Sequence, residues 1–248
     1  MLFNRNSAGH YTPETNTITL SENNYRITIN HELFHAATAI YDKEHEVFFC
    51  GFNQIKKKGK FQIAESLNEG YTQYITEKIF GKENTMTSAY IYEKRIAEAL
   101  EMIVGEEKMR LFYFNANLNG LIEYLKVYNS EDNIYKFINT LDSLTEHMDD
   151  KNLLPSSKKT IIDGFRFVNT FLLQTALKKK ITDNNQSNFL TRDLLEDLVP
   201  LLTLIPMDIT SKGRSFHICD ENLITDILTT TFLEYKLRLS NDGEIVTK

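Results

Sequence analysis

The residues best able to do chemistry are His31, Glu32 and His35, which form His-Glu-Leu-Phe-His inside the stretch INHELFHAATA. Residues four apart on a helix project from the same side, so two imidazoles at this spacing converge on one point and can share one metal ion. Neutral imidazole with a carboxylate suits zinc, and an open fourth position holds a water whose pKa falls to roughly 7. Glu32, about a quarter turn to one side, can accept a proton from that water without ligating. A third ligand is needed. Leu-Asn-Glu-Gly at Leu67 to Gly70 offers Glu69 on a second segment, with Glu65 one turn earlier as its rival.

These residues must be positioned by ordered elements. Residues 16–20 alternate polar and apolar between two turn-prone stretches, which predicts a short half-buried strand, and Ser21 offers a helix cap. Residues 23–41 read as a helix: Ile29, Leu33, Ala36, Ala37 and Ile40 form an apolar stripe that should pack, with His31 and His35 on the opposite side. Residues 47–63 have apolar, β-prone ends around a Lys-rich centre, which predicts a hairpin with Gly59 near its turn. A second helix is expected over 64–80, packing through Leu67, Tyr71, Tyr74 and Ile75 and presenting Glu65, Glu69, Thr72 and Thr76 on another face. Beyond Gly81 the pattern stays helical to about residue 205, Pro200 should end or kink the last helix, and residues 240–248 read as a frayed tail. The expected fold is α+β and mainly α, with β structure limited to the strand and hairpin near the motif. Residues 1–82 would form the metal-binding portion and 83–248 a helical subdomain packed on it.

The bulk numbers narrow the function. The 248 residues can bury a substantial core, and a net charge of -6 gives no electrostatic footprint for nucleic acid. The Lys56 to Lys60 run reads as a solvated hairpin tip. The first twenty residues lack a basic start followed by an apolar run, and no segment is long enough to span a bilayer, so a cytoplasmic protein without membrane contact is expected. Cys50 and Cys219 are too few for a disulfide framework and are expected to be buried thiols.

INHELFHA and ESLNEGYTQYIT, together within about Thr17 to Phe80, resemble the gluzincin metallopeptidases, in which an HExxH helix supplies two histidines and a later helix a glutamate. The resemblance implies a zincin-like core and zinc-dependent hydrolysis of a peptide or protein substrate, with His31, His35 and Glu69 as ligands and Glu32 as general base. It favours Glu69 over Glu65 through the Asn-Glu-Gly match, where Gly70 lets another backbone approach. The departure is spacing: 33 residues separate His35 from Glu69, longer than in the aminopeptidases of this group. Such enzymes often use a tyrosine or histidine to stabilise the developing oxyanion; Tyr90 and Tyr92 are the candidates, with Tyr92 preferred for its polar neighbours Glu93 and Arg95. The strand at 16–20 would align an extended substrate. His45 and His217 are weaker candidates, for which surface or packing roles are preferred, and His10 and His147 have no motif around them. Two other readings stay open: a catalytically silent metal-binding regulator on the same scaffold, and a helical interaction protein without metal.

Overall fold

The computed structural model describes residues 9–21, 25–56, 61–85, 90–149, 155–183, 189–211, 214–240, 242 and 244–247. Two compact units divide the chain, Met1–Tyr124 and Leu125–Lys248. The boundary read from sequence lay at 82/83; in the structure the helices that follow residue 82 as far as Tyr124 belong with the histidine segment.

In the first unit, β1 (Gly9–Thr12) and β2 (Thr17–Leu20) pair antiparallel from Gly9↔Leu20 to Thr12↔Thr17. The expected strand is therefore half of a hairpin, which packs on α1 (Tyr25–Ala37). The Ser21 cap concerns a helix start beside residues 22–24, outside the described residues. α1 stops four residues short of the expected end. Thr38 turns its hydroxyl back onto the Phe34 and His35 carbonyls at 3.0 and 3.1 Å, and β-branched and aromatic residues then continue as β3 (Ala39–Asp42). An antiparallel sheet of order β3-β4-β5-β6 follows, with β4 (Val47–Cys50), β5 (Asn53–Lys56) and β6 (Gln62–Ile63). β5 and β6 pair across the Lys-rich stretch, whose tip at 57–60, with Gly59, lies outside the described residues. A second tight turn, Gly51-Phe52, joins β4 to β5. Gly51 has φ +56°, and a Cβ there would meet Asn68 Oδ1.

α2 (Glu65–Phe80) is the centre of this unit, since residues on nearly all its sides are buried. Leu67, Tyr71 and Ile75 pack as expected, Tyr74 is half-buried, and Thr72 and Thr76 are buried as well. Thr72 is satisfied by the Tyr113 hydroxyl at 2.6 Å. α3 (Ile91–Val104) lies along α2, and α4 (Glu106–Phe114) and α5 (Leu118–Leu125) follow. Phe52, Tyr71 and Tyr113 form an aromatic cluster with ring centroids 5.1 to 5.6 Å apart, pinning the sheet and α4 to α2.

The second unit is built on α6 (Glu131–Asp149) and α7 (Pro155–Asp183), joined by Phe137 stacked on Phe171 at 4.3 Å. α8 (Thr191–Leu204) runs through Pro200 to Leu204. Sequence reading confined β structure to the first unit, and this is corrected: β7 (Phe189–Leu190), β8 (Asp208–Ser211), β9 (Arg214–His217), β10 (Leu237–Leu239) and β11 (Glu244–Thr247) lie here. The expected frayed tail contains β11, which pairs with β10 on one side and β7 on the other, burying Ile245 completely. α9 (Glu221–Glu234), capped by Asp220 accepting from Leu223 N–H at 2.9 Å, was likewise not foreseen. The fold is mainly helical with small antiparallel sheets. Among the described residues, no helix is long and apolar enough to cross a membrane.

Candidate metal centre

α1 buries its histidine face, whereas the apolar stripe expected to pack is partly exposed. His31, Glu32 and His35 are 6, 5 and 5% exposed, while Leu33 is 49% exposed and Ala37 is also exposed. The apolar stripe was a poor guide because α2 packs on the histidine side. There His31 and His35 find hydrogen-bonding partners, which offsets the cost of burying them.

His31, His35 and Glu69 come together, and their ligand atoms all lie within 4.8 Å of one another. His31 Nε2 is 3.0 Å from His35 Nε2 and 3.0 Å from Glu69 Oε2. His35 Nε2 is 3.2 Å from Glu69 Oε1. A tetrahedral zinc with bonds of about 2.0 to 2.2 Å spaces its donors about 3.3 to 3.5 Å apart, close to this triangle. The donor chemistry fits as well: two nitrogens and a carboxylate are turned to one point. The group could hold a metal ion.

Burial and mutual charge set the protonation of His35, Glu69 and Glu32. Burial opposes charge on His35, but the Glu69 carboxylate, with hydrogen bonds to Cys50 and Glu69, holds its pKa well above the usual imidazole range. Burial would raise the Glu69 carboxyl, yet the His35 charge and hydrogen bonds from both histidines bring it well below the usual carboxylate range. Glu32 moves the other way: burial raises its pKa, Glu69 adds to this, and His35 and His31 pull against it.

The far sides of the rings are also held. His31 Nδ1 faces Gln73 Oε1 at 3.2 Å. His35 Nδ1 faces Asn68 Nδ2 at 3.2 Å and Cys50 Sγ at 3.7 Å. Asn68 also accepts from Phe52 N–H at 3.0 Å, so the β4–β5 turn and the Asn-Glu-Gly stretch are tied together behind His35. Gly70 permits the close approach expected of it, since a Cβ there would meet the Glu93 carbonyl of α3.

That approach brings Tyr90, the residue preceding α3, to the centre. Its ring stacks on His31 with centroids 5.8 Å apart and an interplanar angle of 11°. Its hydroxyl bonds Glu69, whose charge, followed by burial, raises the phenol well above its ordinary pKa. Tyr90 has φ 53°, a left-handed conformation uncommon for an aromatic residue. Tyr92, preferred from sequence, is half-buried in the first turn of α3. Glu65 is exposed at the start of α2, outside the ligand group, though its charge reaches Tyr90. His10, on β1, lies within electrostatic reach of Glu32, which no local motif could reveal. Gln73 and Asn68 were also missed; their signal was position, four residues after Glu69 and one before it. His45 and His217 sit at the surface, paired with Asp42 and Asp208, and both cysteines are buried.

No protein-family model, curated protein or solved structure matches this chain.

Proposed function

We propose that this protein is a zinc-dependent, gluzincin-like metallopeptidase acting on a peptide or protein substrate in the cytoplasm. The observation that carries the reading is the convergence of His31, His35 and Glu69 on one buried point, with Glu32 and Tyr90 beside it. The β elements next to α1, and α1 packed on α2, support a zincin-like core. A zinc ion held by these three side chains supplies Lewis-acid chemistry, making water nucleophilic near neutral pH and polarising a carbonyl.

The chain's own residues supply the rest. Glu32 is not among the three donors, and its raised pKa brings it nearer the working range of a general base. It takes the proton of the attacking water and passes it to the leaving amine. Tyr90 keeps its phenolic proton, because the charges of Glu69 and Glu32 oppose its ionisation, and can therefore donate to a developing oxyanion. The left-handed backbone at Tyr90 costs about 1 to 3 kcal/mol, a strain compatible with a side chain aimed at a site.

Protein purified without an affinity tag or chelator should carry one zinc per chain. Glu32→Gln should keep that zinc and lose hydrolysis of a peptide library, whereas an active Glu32→Gln enzyme refutes the general base. The deep burial of Glu32 also favours the second reading, a catalytically silent metal protein; a zinc-loaded wild type inert towards the library selects it.

A further inference from the structure

Behind His31 runs a chain of side chains that belongs to no motif. His31 Nδ1 lies 3.2 Å from Gln73 Oε1, and Gln73 Nε2 donates to Glu77 Oε1 at 2.9 Å. Lys94, from α3, donates to both Glu77 oxygens at 3.1 and 2.9 Å. Gln73 and Glu77 are buried.

An amide is ambivalent. Turned over, Gln73 would present its NH2 group to His31 Nδ1 and move the imidazole proton to Nε2, the atom that faces His35 and Glu69. Glu77 prevents this. A carboxylate paired with an ammonium group accepts and does not donate, so only the NH2 end of Gln73 can face it. The amide oxygen is then committed to His31, Nδ1 holds its proton, and Nε2 is the ring nitrogen left to a metal. We infer that Glu77, held by Lys94, is a positioning residue that sets the tautomer of His31 through Gln73.

This inference rests on the metal-centre reading and extends it two side chains outward. Joining α2 to α3 does not by itself account for the pair, because replacing a buried ion pair with apolar residues of similar volume is often neutral or stabilising. An acceptor-only group is what the orientation of Gln73 requires.

The test begins with protein stripped of metal. Ring 15N shifts of His31, followed upward in pH until one ring proton remains, should show that proton on Nδ1. Glu77→Gln can present either end of its amide, so the tautomers should mix and zinc affinity should fall about 10- to 100-fold, as for other residues that orient a metal-bound histidine. Exchanging the two side chains, Gln73→Glu together with Glu77→Gln, puts an acceptor-only group against His31 and should return the affinity towards wild type. A last ring proton on Nε2 in the wild type overturns the inference without any variant. So does a folded Glu77→Gln protein with unchanged tautomer and affinity. A wild type that takes up no zinc refutes the metal centre instead, and leaves the His31 tautomer measurable.

Discussion

Metal uptake should depend on pH, because the donors hold a proton that a metal must displace. Glu69, brought well below the usual carboxylate range, is ionised near neutrality and has no proton to release. His35 is the opposite case: against the effect of burial, the Glu69 charge keeps its proton well above the usual imidazole range. A metal on His35 Nε2 releases that proton, so apparent affinity should rise with pH over the range in which His35 holds it, by up to about tenfold, or ~1.4 kcal/mol, per pH unit. Competition with a chromophoric chelator measures the affinity, and calorimetry in two buffers of different protonation enthalpy counts the proton. Stability of the stripped protein runs the other way. The folded pKa of His35 is raised, so its contribution is fully present below about pH 6.5 and is lost as pH rises through the folded value. The folded pKa of Glu69 is depressed, so its contribution is present above about pH 4.5 and is lost as pH falls through the folded value. The pair therefore stabilises the stripped protein most between roughly pH 4.5 and 6.5. A metal affinity that is flat from pH 7 to 8, with no proton released, would refute the proton held on His35.

Three further outcomes follow from the geometry. Glu69→Ala should abolish stoichiometric zinc while Glu65→Ala retains it, as read by metal analysis of the two purified proteins; zinc retained in the first and lost in the second would exchange their roles. Tyr90→Phe should lower kcat by about 10² to 10³ with zinc content unchanged, whereas Tyr92→Phe should leave kcat close to wild type. Gly70→Ala should destabilise the fold by about 1 to 3 kcal/mol, measured by urea unfolding, because the new methyl group meets the Glu93 carbonyl; unchanged stability would show that α3 can shift at little cost.

The sequence by itself set two imidazoles on one side of a helix and narrowed the third candidate donor to Glu69 or Glu65. Imidazoles at 31 and 35 face one way on any helix, and Glu69 with Gly70 marks a second helix that can approach closely; these are local consequences of a 3.6-residue repeat and of one missing Cβ. The course of α2 and the mainly helical character were legible for the same reason. Only the tertiary structure decided which face of α1 is buried, because its apolar stripe and its histidine face compete, and α2, whose partners satisfy the polar face, settles the outcome. It also decided for Tyr90 beside the centre, placed Gln73, Glu77 and Lys94 in line behind His31, and turned the C-terminal segment into the central strand of a small sheet. In each case the deciding partner lies on another element, and no periodicity within a segment records what the chain brings against it.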